Sequence, residues 1–235
     1  MTRALLFDVF GTCVDWYGSV SRELTHQAQA IGVETDIGAF TLAWRQAYFD
    51  GMAEVRAGRA PWRRVDAIHR EALDHLLEQH GMTALDETAR VRLNRIWHHL
   101  TPWPDAREGL CQIKQEFRIA TLSNGNLDLL IDLSRFGELP WDMLFCSDLF
   151  QAFKPAPKTY LGCCELLDLD PATVMMVASH RPDLDAAAAC GLQTGFVARP
   201  TEFGMHKPAD SAQPGDYTIV ASDFFDLAAQ LESTL

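Results

Sequence analysis

The segment LLFDVFGTCVDW, residues 5–16, is an apolar run that ends in an acid, Asp8, and continues into Gly11 and Thr12. We predict a short strand over residues 3–9, buried on both faces of a sheet. A carboxylate at the end of a buried strand is costly to desolvate unless it is paired or used in chemistry. Asp8 is therefore a buried structural acid, a metal ligand or a nucleophile. Gly11 permits a tight turn of the loop, and the hydroxyl of Thr12 can hold the carboxylate in one rotamer.

Strands alternate with helices along the second half of the chain, which predicts a parallel sheet covered by helices on both faces. Six segments have the apolar character of strands: RALLFDV (3–9), RIATLSN (118–124), MLFCSD (143–148), TVMMVAS (173–179), QTGFVAR (193–199) and YTIVAS (217–222). In such a sheet, ligands bind beyond the carboxyl ends of the strands. Three of the strands end there in polar residues, which are Asp8, Ser123 with Asn124, and Ser179 with His180.

Between about residues 18 and 100 the apolar residues follow a helical period, and no segment is a convincing strand. We predict about four helices there, separated by Gly and Pro. The fold class is therefore α/β, a Rossmann-like parallel sheet core with an inserted all-helical cap domain. The core comprises residues 1–15 and 98–235, and the cap comprises residues 16–97. The cap leaves the sheet at the edge where ligands bind, so it is placed to cover that crevice as a lid.

The composition limits the partners of the chain. A formal net charge of -12 and a pI of about 5.0 argue against nucleic-acid binding, and a small anionic substrate would need local cations. None of the six cysteines belongs to a CxxC pair, and no run of about 18 apolar residues predicts a membrane span. Asp8 interrupts the first apolar run too early for a signal peptide. We therefore expect a cytoplasmic, globular protein with reduced cysteines.

Two further expectations concern the surface of the protein. The tract 200–216 is rich in Pro, Gly, Asp and Ser and is predicted to be a surface loop. Histidines of the helical block are expected to be surface residues that do not converge on a metal ion. They are His69, His75, His80, His98 and His99.

Four segments resemble the motifs of the haloacid dehalogenase (HAD) superfamily, and they occur in the same order. They are FDVFGT (7–12), TLSNGN (121–126), FKPAPKTY (153–160) and MMVASHRPDLDAAAACGLQT (175–194). Most members of this superfamily transfer phosphoryl groups and carry a second acid two residues after the nucleophile. Here that position is Phe10. The fourth motif of those members holds Mg²⁺ with paired acids, whereas here Ser179 or His180 replaces the first acid.

These departures resemble the type II 2-haloacid dehalogenase branch, which needs neither a proton on the leaving group nor a metal. The resemblance implies hydrolysis of short 2-haloacids to 2-hydroxy acids through a covalent ester on Asp8, without a cofactor. Fluoroacetate is included among the candidate substrates, and a homodimer formed through the helical part is implied. Two alternatives stay open: a Mg²⁺-dependent small-molecule phosphatase of the same fold, and a non-catalytic or regulatory relative that the sequence SHRP (179–182) keeps in consideration.

The resemblance also implies which residues perform the chemistry. Asp8 is the nucleophile, and Thr12 holds its carboxylate. Lys154 neutralises Asp8 and Asp183, which would otherwise repel each other. Asp183 orients Lys154 and helps to activate water, although an acid at this position could also cap the helix that follows.

A second set of residues is implied to bind the substrate and the halide. Ser123, with backbone amides near Val9 and Phe10, binds the substrate carboxylate, and Arg45 and Asn124 stabilise the departing halide. Tyr160 contacts the same network, and Ser179 and His180 line the site. Several of these residues have a plainer interpretation. Arg45 could be a solvated helix residue, and Ser123 and Asn124 could cap a helix. Lys154 could be a surface residue, and Tyr160 and His180 could serve only in packing. The apolar lining is assigned to Trp44, Phe49 and Trp62.

Overall fold

The computed structural model describes residues 2–233. The strands in this part of the chain are β1 (Ala4–Phe7), β2 (Val14–Asp15), β3 (Thr101–Pro102), β4 (Arg118–Ser123), β5 (Met143–Cys146), β6 (Val174–Ala178), β7 (Gln193–Val197) and β8 (Ile219–Ala221). The α-helices are α1 (Trp16–Ala30), α2 (Ile37–Arg56), α3 (Val65–Gln79), α4 (Glu87–Asn94), α5 (Ala106–Glu116), α6 (Leu127–Phe136), α7 (Ser147–Phe150), α8 (Pro157–Leu167), α9 (Arg181–Ala189) and α10 (Phe224–Glu232). Short 3₁₀ helices span Arg95–His98 and Pro171–Thr173.

The main sheet has six parallel strands in the order β5-β4-β1-β6-β7-β8, which confirms the predicted α/β fold. β1 lies between β4 and β6, so the loop that contains Asp8 leaves the middle of the sheet. Successive side chains of β1 point to opposite faces, with Leu5 and Phe7 in one apolar cluster and Ala4 and Leu6 in another. Both clusters are buried, because helices cover both faces of the sheet.

Four helices, α1 to α4, occupy the chain between β2 and β3, as predicted. The two short strands pair antiparallel, Val14 with Pro102 and Asp15 with Thr101, and so bring the two ends of the helical block together. The division into a core of 1–15 and 98–235 and a cap of 16–97 stays a prediction. Residues 1, 234 and 235 of that core lie outside the described residues. Within residues 2–233, no helix combines the length and the apolar character needed to cross a bilayer.

A buried ion pair fixes the loop after β1. The guanidinium of Arg199 donates from both terminal nitrogens to the carboxylate of Asp105, at 2.8 and 2.9 Å. Its Nε donates to the carbonyl of Thr12 at 2.9 Å, and Asp105 also accepts from the amide of Phe224. Gly11, with φ of 88°, turns the same loop, since that conformation is strained for a residue with a Cβ atom. Arg199 and Asp105 therefore fix the loop that follows Asp8 at the carbonyl of Thr12.

The expectation that the histidines of the helical block lie on the surface is wrong for two of them. His69 is fully buried and stacks on Trp97 with ring centroids 4.2 Å apart. Burial lowers the pKa of His69 well below its usual value, which keeps the ring neutral. His98 is also buried, and its ring nitrogens lie 2.8 Å from Asp132 Oδ2 and 3.0 Å from Asp66 Oδ2. His98 thus joins α3, which carries Asp66, to α6, which carries Asp132.

We expect the His98→Gln variant to be destabilised most at low pH. Burial disfavours the charged ring, but the hydrogen bonds to Asp66 and Asp132 outweigh burial and raise the pKa of His98 in the folded protein. The stabilisation is therefore fully present below the unfolded pKa of about 6.5, and it is lost as the pH rises through the higher folded value. Urea unfolding should show a loss of about 2–3 kcal/mol near pH 5.5, and the loss should shrink at alkaline pH. The exposed His75→Gln provides the matched control, and a pH-independent loss for His98→Gln would contradict the bridging role.

Candidate active site

A cavity of about 410 Å³ lies at the carboxyl ends of the strands, where the sequence placed it. Its floor includes Asp8 and Asn124, which follow β1 and β4. Lys154, between α7 and α8, completes one wall, and α9 contributes Asp183. The helical block covers the cavity through α2, which contributes a group of side chains to the lining: Arg45, Tyr48, Phe49, Met52 and Arg56.

The carboxylate of Asp8 is held by three donors. Thr12 Oγ1 donates to Asp8 Oδ2 at 2.8 Å, and Lys154 Nζ donates to Asp8 Oδ1 at 2.9 Å. The hydroxyl of Thr12 accepts from the amide of Ser179 at 3.0 Å, which directs its own proton to Asp8. His180 Nδ1 lies 3.1 Å from Asp8 Oδ2. Burial opposes ionisation, but the charges of Lys154 and His180 hold the pKa of Asp8 well below its usual range. Asp8 is an anion at neutral pH.

Lys154 lies between two carboxylates. Its ammonium group donates to Asp183 Oδ2 at 2.5 Å and to Asp8 Oδ1, and its side chain is almost fully buried. Burial disfavours the charge, yet Asp183 and Asp8 together raise the pKa of Lys154. Tyr160 donates its hydroxyl to Asp183 Oδ1 at 2.6 Å. Burial raises the pKa of Asp183, which makes this carboxyl group a better proton acceptor than an exposed aspartate.

Glu202 is a site residue that the sequence analysis missed. It lies in the tract 200–216, which was predicted to be a surface loop, yet its side chain is 1% exposed. Both of its carboxylate oxygens face His180 Nε2, at 3.0 and 3.1 Å, and one also accepts from Trp16 Nε1 at 2.9 Å. Phe203 and Lys207 of the same tract line the cavity. The tract is a loop, but residues between 202 and 210 form part of the site.

Arg45 presents an unpaired guanidinium to the cavity. The residue is buried, and its Nε and Nη1 find no hydrogen-bond partner among residues 2–233. Four aromatic rings surround the guanidinium, with centroids 4.7 to 5.4 Å from Cζ: Phe10, Trp16, Tyr48 and Phe49. Aromatic faces stabilise the cation, but they do not accept hydrogen bonds from the N–H donors that lie in the plane of the guanidinium group. An anion is the partner that these donors lack, so the solvated-helix alternative does not fit the structure.

The other predicted residues are placed as follows. Phe10, Asn124, Tyr160 and His180 line the cavity. Asn124 holds the backbone of Lys154, because its Oδ1 accepts from the Lys154 amide at 2.6 Å. Some predicted residues are buried nearby and do not belong to the lining found for residues 2–233: Val9, Thr12, Ser123 and Ser179.

The assignment of the apolar lining was correct for one residue and wrong for two. Phe49 lines the cavity. Trp44 is instead buried in the helical block, where its Nε1 donates to the carbonyl of His69 at 2.8 Å. Trp62 packs on Phe153, with ring centroids 4.7 Å apart. The helical block therefore contributes to the cavity lining through one face of α2 rather than through its tryptophans.

The donor set around Asp8 does not favour a divalent cation. Lys154 and His180 direct positive groups at the two oxygens of Asp8, so a metal there would meet two cations.

Asp66, His98 and Asp128 offer ligand atoms within 4.8 Å of one another, so His98 does converge with acids, contrary to expectation. The amide nitrogen of Asn126 donates to both Asp66 and Asp128, so each acid has a hydrogen-bond partner in place. These three residues lie outside the cavity lining.

The parallel sheet, the acid after its central strand and the lysine beside it define the class of protein as a HAD-type hydrolase. A family model described as haloacid dehalogenase-like hydrolase matches residues 2–191. The chain belongs to this family.

Three solved structures resemble the chain over nearly its whole length. The L-2-haloacid dehalogenase PA0810 is 45% identical with a TM-score of 0.94, covering 99% of this chain and 100% of that one. The defluorinating L-2-haloacid dehalogenase Rha0230 is 42% identical with a TM-score of 0.94, covering 98% and 95%. The L-2-haloacid dehalogenase of Xanthobacter autotrophicus with chloropropionic acid covalently bound is 25% identical with a TM-score of 0.82, covering 100% of both chains.

Proposed function

We propose that this protein is a hydrolase of carbon–halogen bonds, which converts short 2-haloacids to 2-hydroxy acids through an ester on Asp8. One observation supports the proposal above all: an ionised carboxylate and an unpaired, buried guanidinium share one cavity. Asp8 supplies the electron pair, and Arg45 supplies donors for the anion that leaves. The relatives described above are named for this activity.

In the first half-reaction an oxygen of Asp8 attacks C2 of the substrate, in line with the carbon–halogen bond. The halide leaves with the bonding electron pair, and the configuration at C2 is inverted. Arg45 and Asn124 stabilise the halide as its charge develops, so no acid is needed at the position of Phe10. Ser123 and the amides of Val9 and Phe10 are proposed to hold the substrate carboxylate, although Phe10 lines the cavity and Val9 and Ser123 lie just behind its lining.

In the second half-reaction water attacks the carbonyl carbon of the Asp8 ester. Asp183 accepts a proton from this water, and its two hydrogen bonds, from Lys154 and Tyr160, fix its position. The products are the 2-hydroxy acid and the regenerated carboxylate. The apolar wall of α2, including Phe49 and Met52, restricts bulk water until the ester has formed.

The proposed substrate range is short 2-haloacids and includes fluoroacetate. The similarity to the defluorinating Rha0230 supports fluoride as one of the leaving groups.

The proposed location is the cytoplasm, where thiols are kept reduced, which suits six cysteines that are all free. The proposed assembly is a homodimer formed through the helical part, as the family resemblance implies. Gel filtration with light scattering at micromolar concentration tests the dimer, and the mass of a single chain, 26.3 kDa, would contradict it.

Replacement of Arg45 tests the halide site. We expect Arg45→Ala to lower kcat/KM for 2-chloropropionate by about 10²-fold or more, the scale on which one preorganised donor is lost. Arg45→Lys should restore only part of the activity, because an ammonium group lacks the planar fork of donors. Halide release is the measurement, and Arg92→Ala, an exposed arginine of the same helical block, is the matched control. Wild-type kinetics in Arg45→Ala would place Arg45 outside the chemistry.

Chelation separates the proposed function from the phosphatase alternative. We expect halide release from chloroacetate to survive EDTA unchanged, because Lys154 and His180 occupy the positions around Asp8 that a cation would need. A generic phosphate ester, assayed beside it with and without Mg²⁺, should not be hydrolysed. Loss of activity in EDTA with recovery on adding Mg²⁺ would favour phosphoryl transfer instead.

A further inference from the structure

His180, whose side chain is 24% exposed, and the buried Glu202 form a pair directed at Asp8. Glu202 faces His180 Nε2 with both oxygens, and His180 Nδ1 faces Asp8 Oδ2. The glycine at position 11 leaves room for the pair in this arrangement. A Cβ atom there would lie 2.3 Å from Glu202 Oε1 and 3.1 Å from His180 Cε1. The turn after the nucleophile therefore makes room for this pair as well as bending the chain.

Both ring nitrogens of His180 face carboxylates, so the ring carries two protons and a positive charge. Burial opposes that charge, but Glu202 and Asp8 outweigh it and raise the pKa of His180 to about 10. Glu202 keeps its own charge, because His180 and the indole of Trp16 overcome burial and lower its pKa. An imidazolium group thus lies against one oxygen of the nucleophile.

We propose that His180, kept cationic by Glu202, stabilises the oxyanion that forms on Asp8 Oδ2 when water hydrolyses the Asp8 ester. This inference rests on the proposed function and assigns the pair to its second half-reaction. Oδ1 is the attacking oxygen, since Oδ2 already accepts from both Thr12 and His180, whereas Oδ1 accepts from Lys154. Oδ2 then becomes the carbonyl oxygen of the ester.

The electrons and protons balance in this scheme. Oδ1 forms a bond to C2 as the carbon–halogen bond breaks. Water then adds to the Asp8 carbonyl carbon, and the carbonyl electron pair moves to Oδ2, where Thr12 and His180 donate. Collapse restores the double bond to Oδ2 and breaks the bond from the carbonyl carbon to Oδ1, which leaves on the product. One proton of the water reaches that product oxygen, and the other passes through Asp183 to solvent.

Glu202 is needed to keep His180 protonated in the ester, because Asp8 carries no negative charge once it is esterified. Once Asp8 is esterified, His180 loses one of its two anionic neighbours, but Glu202 still holds the proton on Nε2. A ring that stays protonated cannot accept a proton from water, so a general-base role does not fit the geometry. A donor that faces a neutral carbonyl oxygen in the ester and an anion in the transition state lowers the barrier of that step.

The test separates the two half-reactions. In His180→Ala we expect hydrolysis of the ester to slow by about 10²-fold or more. The first turnover of halide release should stay fast, because the variant lacks only a hydrogen-bond donor to Asp8, and Asp8 itself can still attack. Stopped-flow detection should show a burst of one halide per active site. Acid quenching and mass spectrometry should find the ester on the Asp8 peptide. His180→Gln should recover part of the rate, because its amide is a neutral donor.

The outcomes are distinct. Slow halide release without ester, or unchanged kinetics in His180→Ala, would overturn the proposal. His75→Gln, a change at an exposed histidine, is the matched control and should show no burst. If the wild-type protein releases no halide from any 2-haloacid, the proposed function fails and not this inference alone.

Glu202→Gln gives a second test that keeps the shape of the pair. Without the carboxylate, the pKa of His180 in the ester should fall towards its ordinary value of about 6.5. Hydrolysis should then drop by about tenfold as the pH rises from 6 to 8, since a neutral donor is weaker than a charged one. The other charges around the ring, on Lys154, Asp183 and Arg45, are unchanged. The wild-type protein carries the same Asp183 and is therefore the reference. A Glu202→Gln rate with the pH dependence of the wild type would overturn the proposal.

Discussion

A chain of alternating charges, almost completely removed from water except at His180, organises this site: Glu202, His180, Asp8, Lys154 and Asp183. Each carboxylate that is removed from water meets a cation, and each cation meets two carboxylates. Without that alternation, the desolvation of so many ionised groups would be prohibitive. The arrangement keeps Asp8 deprotonated and in one rotamer, which is what a carboxylate nucleophile requires. Arg45 is a further cation at this site. Two of its guanidinium nitrogens have no hydrogen-bond partner among residues 2–233.

The sheet and the position of the site follow from local patterns. Apolar runs that end in Asp8, Ser123 and Ser179 predict strands whose polar ends lie at one edge of a parallel sheet. The sequence does not predict the strand order, and the structure adds that β4, β1 and β6 are neighbours. Lys154, Tyr160 and Asp183 were found through motif resemblance, and the structure brings all three into contact with the network around Asp8.

Contacts between distant segments explain what the sequence analysis did not find. Glu202 lies 22 residues beyond His180 in a loop of turn-forming residues, so no periodicity indicates that it is buried. Trp44 and Phe49 share one helix, and only the packing of that helix decides which of them faces the cavity. His98 is buried because two carboxylates from different helices converge on it. Burial of a charged residue depends on its partners, which composition does not reveal.

A single turnover in H₂¹⁸O, with the enzyme in excess over a 2-haloacid, tests whether Asp8 is the nucleophile. An attacking carboxylate gives one of its own oxygens to the product, and water then replaces that oxygen on Asp8. The account predicts unlabelled hydroxy acid in the first turnover and ¹⁸O in the peptide that contains Asp8. Label in the first-turnover product, with an unlabelled Asp8 peptide, would contradict it, because Asp8 would then activate water for direct attack on C2.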